Sequence, residues 1–144
     1  MNKLWLAFWL GTFSLAQAHD TLSAGQVSLT ISTDDEDDLG VNQPTTVFFG
    51  FDHQGKALPE CHCRALLYAG QPSARTPPLS DLQLALTAGR SGQLKLSVPR
   101  AGQYTLIVVG RPARYGDFDA FKMQYALVAT ATQFDPSVWD LGKP

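Results

Sequence analysis

From Gln26 onward the chain runs in short stretches in which apolar and polar residues alternate, and no stretch sustains the 3.6-residue spacing of an amphipathic helix. Alternation with period two places every second side chain on one face of a strand, so each such stretch predicts a strand with one buried face. Val27, Leu29 and Ile31 share a face in Gln26–Ser32, and Val47, Phe49 and Phe51 share one in Thr45–Asp52. Further strands are predicted at Cys61–Tyr68, Leu82–Thr87, Gly92–Val98, Tyr104–Gly110 and Phe121–Thr130, seven in all. Gly, Pro and Asp fill the separators, as tight turns require.

The first eighteen residues break this pattern. They place Lys3 before an apolar run and end on Ala16-Gln17-Ala18, the small-x-small pattern of a cleaved secretory signal, so residues 1–18 are expected to be removed on export to the periplasm or exterior. The run is short for a membrane span, no second apolar stretch of ~20 residues follows, and no membrane insertion is expected after cleavage. A chain starting at His19 has roughly 126 residues, the size of one domain, expected over 19–132 with a tail from 133 to 144. The whole chain has a formal charge of −2, and removing Lys3 with the leader makes the remainder about one unit more negative. That balance argues against nucleic acid and anionic lipid, which need clustered positive charge, and leaves another exported protein as the partner class.

Seven short strands in one domain predict an all-β fold, an immunoglobulin-like antiparallel β-sandwich of two sheets packed face to face. Ala101-Gly-Gln-Tyr-Thr-Leu has the form of a tyrosine corner, in which the phenol of Tyr104 bonds backbone at a bend between strands. With the hairpin Asp52-His-Gln-Gly-Lys and the later Gly-x-Tyr-Thr-Leu strand, the span Thr45–Val128 resembles small periplasmic immunoglobulin-like domains of bacteria. The resemblance implies a fold and no particular activity. Between the first two strands, Thr33–Val41 carries five consecutive acids and is expected to be a solvated loop. As a calcium loop it would have Asp35 and Asp37 in place, but Leu39 occupies the third ligand position.

Candidate chemistry is concentrated in Pro59–Tyr68, PECHCRALLY, which holds both cysteines. In a regular strand, positions i and i+2 lie ~6.5–7 Å apart at Cα on one face, at or beyond the usual span of a disulfide. A bond there needs a local bend, and the loop it closes is too short to constrain the unfolded chain much. Three uses remain: soft-metal thiolates, an exchangeable disulfide, or a buried apolar Cys63 with an incidental Cys61. The leading expectation is an exported accessory protein binding a soft metal, copper favoured, through Cys61 and Cys63, with His62, His53, His19 and Met123 as further ligand candidates. The alternatives are a protein-interaction or structural module without metal, and a thiol-redox partner.

Sandwich topology predicts that His53, Cys61, His62, Cys63, Met123 and the mature N-terminus gather at one pole, with the acidic loop at the other. An N-terminal histidine is similar to those of lytic polysaccharide oxygenases and of periplasmic copper-resistance carriers, where amine and imidazole chelate Cu(II). The carriers' second histidine, in an Asp-Gly-His context, has no counterpart in the loop Gly110–Phe118. No nucleophile elbow, HExxH helix or phosphate loop is present, and His62, next to its cysteines on a strand, points to the opposite face, so no enzymatic activity is expected. Phe48, Phe49 and Phe51 are expected in the core, and Arg111 and Arg114, in the loop before the last strand, are read either as the rim of a partner site or as solvated loop charges.

Overall fold

The computed structural model describes residues 20–34 and 38–131. These form an all-β structure of nine strands in two sheets, with no helix among the described residues. The strands are β1 (Asp20–Ala24), β2 (Val27–Thr33), β3 (Asp38–Gly40), β4 (Thr45–His53), β5 (Cys61–Ala69), β6 (Ser80–Leu84), β7 (Ser91–Leu96), β8 (Gly102–Pro112) and β9 (Phe121–Thr130). One sheet has the order β1-β2-β4-β7 and the other β3-β9-β8-β5-β6. Every pairing is antiparallel except β3 with β9, which is parallel.

Alternation dictates which faces meet. Along β9, Phe121, Met123, Tyr125, Leu127 and Ala129 are buried while the residues between them are exposed. The same rule turns Val27, Leu29 and Ile31 of β2 and Val47, Phe49 and Phe51 of β4 inward. These inner faces join in one core cluster spanning both sheets, and the Phe51 and Phe121 rings touch across it with centroids 6.1 Å apart. Burying such side chains contributes about 1.5–3 kcal/mol each and is the main force holding the sheets together. In β8, the central strand of its sheet, five consecutive residues from Tyr104 to Val108 are buried, so alternation is lost where both faces are covered.

Local chemistry fixes the ends. At the β4 turn, His53 and Lys56 exchange both backbone hydrogen bonds, and Gln54 and Gly55 have φ of 53° and 79°. Two central residues with positive φ make the turn that matches strand twist, and Asp52 secures it by accepting the Gly55 N–H at 2.9 Å. At the bend before β8, the Tyr104 hydroxyl donates to the Arg100 carbonyl at 2.6 Å. This is the corner contact the sequence predicts. Thr45, 1% exposed, accepts the Gly40 N–H at 2.8 Å and so ties β3 to the start of β4.

Several expectations are corrected. There are nine strands rather than seven. β1 is new: it folds back on β2 as a hairpin with Thr21 and Ser23 outward and only two apolar residues, Leu22 and Ala24, packed on the core. β3 lies inside the stretch expected to be a solvated loop, because Leu39 is buried there and pairs with Ala129. Asp34 also leaves solvent partly for structure, exchanging backbone and side-chain contacts with Thr46. The strand predicted at Leu82–Thr87 is instead Ser80–Leu84, since residues after Leu84 leave the sheet toward β7. Phe48 faces outward and is 42% exposed, as its position between inward Val47 and Phe49 requires. Asp35, Asp37 and the tail 133–144 lie outside the described residues.

Candidate functional site

β5 begins with Cys61, His62 and Cys63, paired in register with Pro112, Arg111 and Gly110 at the end of β8. Gly110 in turn faces Phe121, the first residue of β9. On the other side of β5, pairing with β6 ends at Cys63–Leu84, so Cys61 and His62 lie past the last β6 partner. The first two residues of β5 therefore stand at a corner of the sheet.

Cys61 and Cys63 form a disulfide. Their Cα atoms are 5.4 Å apart, less than two residues span in a regular strand, so the backbone contracts locally to bring the sulfurs together. This is the local departure from regular strand geometry that a bond between positions i and i+2 requires. Both side chains turn toward the inner face. Cys63 is 1% exposed and belongs to the core, whereas Cys61 is half-buried and packs against it.

Space for the bridge comes from Gly110. A Cβ there would collide with the Phe121 ring and stand 3.1 Å from Cys61 Sγ. Phe121 continues into an aromatic chain, with Phe118 at 6.0 Å between centroids and His53 at 6.3 Å from Phe118. The bridge thus sits at the mouth of the sandwich, against a wall of rings contributed by β9, the β8–β9 connection and β4.

The expected polar grouping is partly realised. His53 at the end of β4, the cysteines at the start of β5 and Phe121 and Met123 at the start of β9 occupy one end of the sandwich, while Asp34 and β3 lie at the other. Asp20, however, pairs with Ile31, at the end of β2 away from His53, because the β1 hairpin reverses the chain. His19 lies outside the described residues.

Within the grouping the candidate ligands are distributed differently. His62 is exposed on the outer face, opposite in direction to its two cysteines. His53 packs on Phe118, and its Nε2 is buried with no hydrogen-bond partner among the described residues. Met123 is a core side chain, 4% exposed, one inward position beyond Phe121. Among the described residues no three His, Cys, Asp or Glu side chains are grouped to hold a metal ion.

A second feature lies on the outer face of the same sheet corner, and of its residues the sequence singles out Arg111 as a candidate rim of a partner site and His62 as a metal-ligand candidate. His62, Arg64, Asp81, Gln83, Val109 and Arg111 surround a shallow groove of about 760 Å³. Arg64 donates from Nε and Nη2 to the two oxygens of Asp81 at 2.9 and 2.7 Å. The register that places these outward residues side by side was only implicit in the strand pattern.

Comparison with known protein families, with curated proteins and with solved structures finds no match for this chain.

Proposed function

We propose that this chain is an exported accessory protein with an immunoglobulin-like β-sandwich, and that its Cys61–Cys63 disulfide is a thiol–disulfide exchange group. The fold assignment is supported by the strand order, in which a chain leaving one sheet after β2 adds β3 in parallel to β9 of the other, and by the Tyr104–Arg100 corner. The leader-like residues 1–18 support export, and an oxidising compartment lets such a bridge persist.

The observation that carries the exchange reading is a disulfide joining residues two apart at a strand corner, with one sulfur half-buried and the other in the core. A bridge over so short a loop contributes little to folding through chain entropy, under about 2 kcal/mol on the loop-length relation. The core cluster that joins both sheets supplies the packing that such a staple would otherwise have to provide. Cys61, the half-buried partner, presents the more accessible sulfur.

The reaction balances without a further cofactor. A thiolate of a partner dithiol attacks Cys61 Sγ, the Cys61–Cys63 bond breaks, and its electron pair leaves on Cys63 Sγ, which takes up a proton. The partner's second thiolate then attacks its own sulfur in the mixed disulfide and releases Cys61 as a thiolate. Two electrons pass from the partner dithiol, which becomes a disulfide, to the Cys61–Cys63 pair.

A second reading concerns the reduced pair. Two thiols on one strand face, with the Met123 thioether on the same inner side of the sheet, form a soft donor set suited to Cu(I). Copper binding and exchange share the requirement that the bridge open without unfolding.

The test treats the folded chain with glutathione at neutral pH, then alkylates and weighs it. The expected result is a mass gain of two alkyl groups with an unchanged circular-dichroism spectrum. A bridge that opens only in denaturant would remove both readings.

A further inference from the structure

We propose that the outer-face groove beside β5 binds a ligand through a carboxylate. This rests on the groove alone and is independent of the disulfide chemistry.

Register places the residues. Arg64 of β5 stands opposite Val109 of β8 and Gln83 of β6, His62 stands opposite Arg111, and Val109 faces Lys122 of β9 on its other side. All of these except partly covered Val109 are exposed, and none belongs to the core. Arg64 and Arg111 are diagonal neighbours about Val109, a separation of ~7–8 Å that long side chains readily close. Val109 therefore forms an apolar floor bordered by Arg64, Arg111 and His62, with Lys122 next to it in register on β9.

Charge decides the ligand class. Among the described residues the only acid lining the groove is Asp81, and both its oxygens are engaged by Arg64. That ion pair holds the Arg64 guanidinium in place, while Arg111 has no ion-pair or hydrogen-bond partner among the described residues. Arg111 and, next to it across the sheet, Lys122 thus bring positive charge to this face that no acid among the described residues pairs. A guanidinium presents parallel N–H donors that match a carboxylate, and Gln83 adds an amide that can donate or accept. The volume of about 760 Å³ falls within the range of small-ligand sites, and exposed Ala120 adds apolar wall. The ligand is thus an organic carboxylate with an apolar body over Val109, either a free small acid or the terminal carboxylate of a peptide chain.

The experiment uses the full folded chain, labelled with nitrogen-15, and follows amide shifts during titration. The probes are Gly-Gly-Val with a free carboxyl terminus, the same peptide amidated, and succinate. The free-acid peptide is expected to saturate and to move the amides of His62, Arg64, Val109 and Arg111, with the amide form at least tenfold weaker. Arg111→Gln should weaken the acid at least tenfold, and Lys122→Gln should weaken it severalfold, each with a retained folded spectrum. Succinate moving the same amides identifies a free small acid as sufficient, and peptide binding alone identifies a chain terminus. No saturable binding of either acid up to about 10 mM, equal binding of acid and amide, or Arg111→Gln and Lys122→Gln without effect would each overturn the proposal.

Discussion

Gly110 and Cys61 meet at the mouth of the sandwich: the missing side chain of one leaves the space into which the sulfur of the other projects, 3.1 Å from where a Cβ would stand. The Phe121 ring fills the rest of that space, so the glycine, the bridge and the ring form one packing unit.

Gly110→Ala is therefore expected to destabilise the fold by about 1–3 kcal/mol, the scale of overpacking a filled core. Phe121→Leu should relieve part of that loss in the double variant, because the ring is the main obstacle. Urea unfolding of the four proteins of this cycle measures the coupling, and additive losses would show that ring and glycine do not share the space.

Tyr104→Phe should lose about 1–2 kcal/mol, since the Arg100 carbonyl is left without the 2.6 Å hydroxyl donor. The checking measurement is the urea midpoint at an unchanged slope. An unaltered midpoint would mean that water replaces the hydroxyl without cost.

Thr45→Val removes the oxygen that accepts the Gly40 N–H while keeping side-chain volume. A cost of about 1–3 kcal/mol is expected for the unsatisfied group, and amide exchange should quicken first in β3. Uniform quickening across both sheets would argue that β3 is not tied separately.

Much of the fold was legible because burial and period two coincide. β9 alternates without a break, and its predicted limits, Phe121–Thr130, are those observed. Tyr104 was legible for a different reason, a local Gly-x-Tyr pattern with a defined hydrogen bond. β1 was not, because its apolar face is only Leu22 and Ala24, both partly covered, too short a run to mark a strand by itself, beside hydroxyl contacts such as Thr21–Thr30. β3 was hidden by its neighbours: one buried residue, Leu39, anchors a short strand next to a run of acids. At the site, the shared face of Cys61 and Cys63 and the opposite direction of His62 followed from strand geometry. That the bond forms, with the Cα atoms drawn in to 5.4 Å, was not legible, nor was the space beside it at Gly110, since glycine at that position carries no mark of its role in a single sequence.

For the copper reading, the reduced chain should bind about one Cu(I) against a competing chelator, more tightly as pH rises, because binding displaces thiol protons whose ordinary pKa is ~8.5. Cys61→Ala with Cys63→Ala should abolish the uptake and leave the fold intact. Equal uptake by reduced wild type and the double variant would contradict it.

The reduction potential of the Cys61–Cys63 bridge in the folded chain tests the central claim most directly. Equilibration in glutathione or dithiothreitol buffers, quenched by alkylation, should give a midpoint between about −270 and −120 mV, the range of exchange-competent disulfides, with the β-sandwich intact on both sides of the transition. A midpoint below about −300 mV, the range of structural disulfides, or loss of the fold on reduction would contradict it.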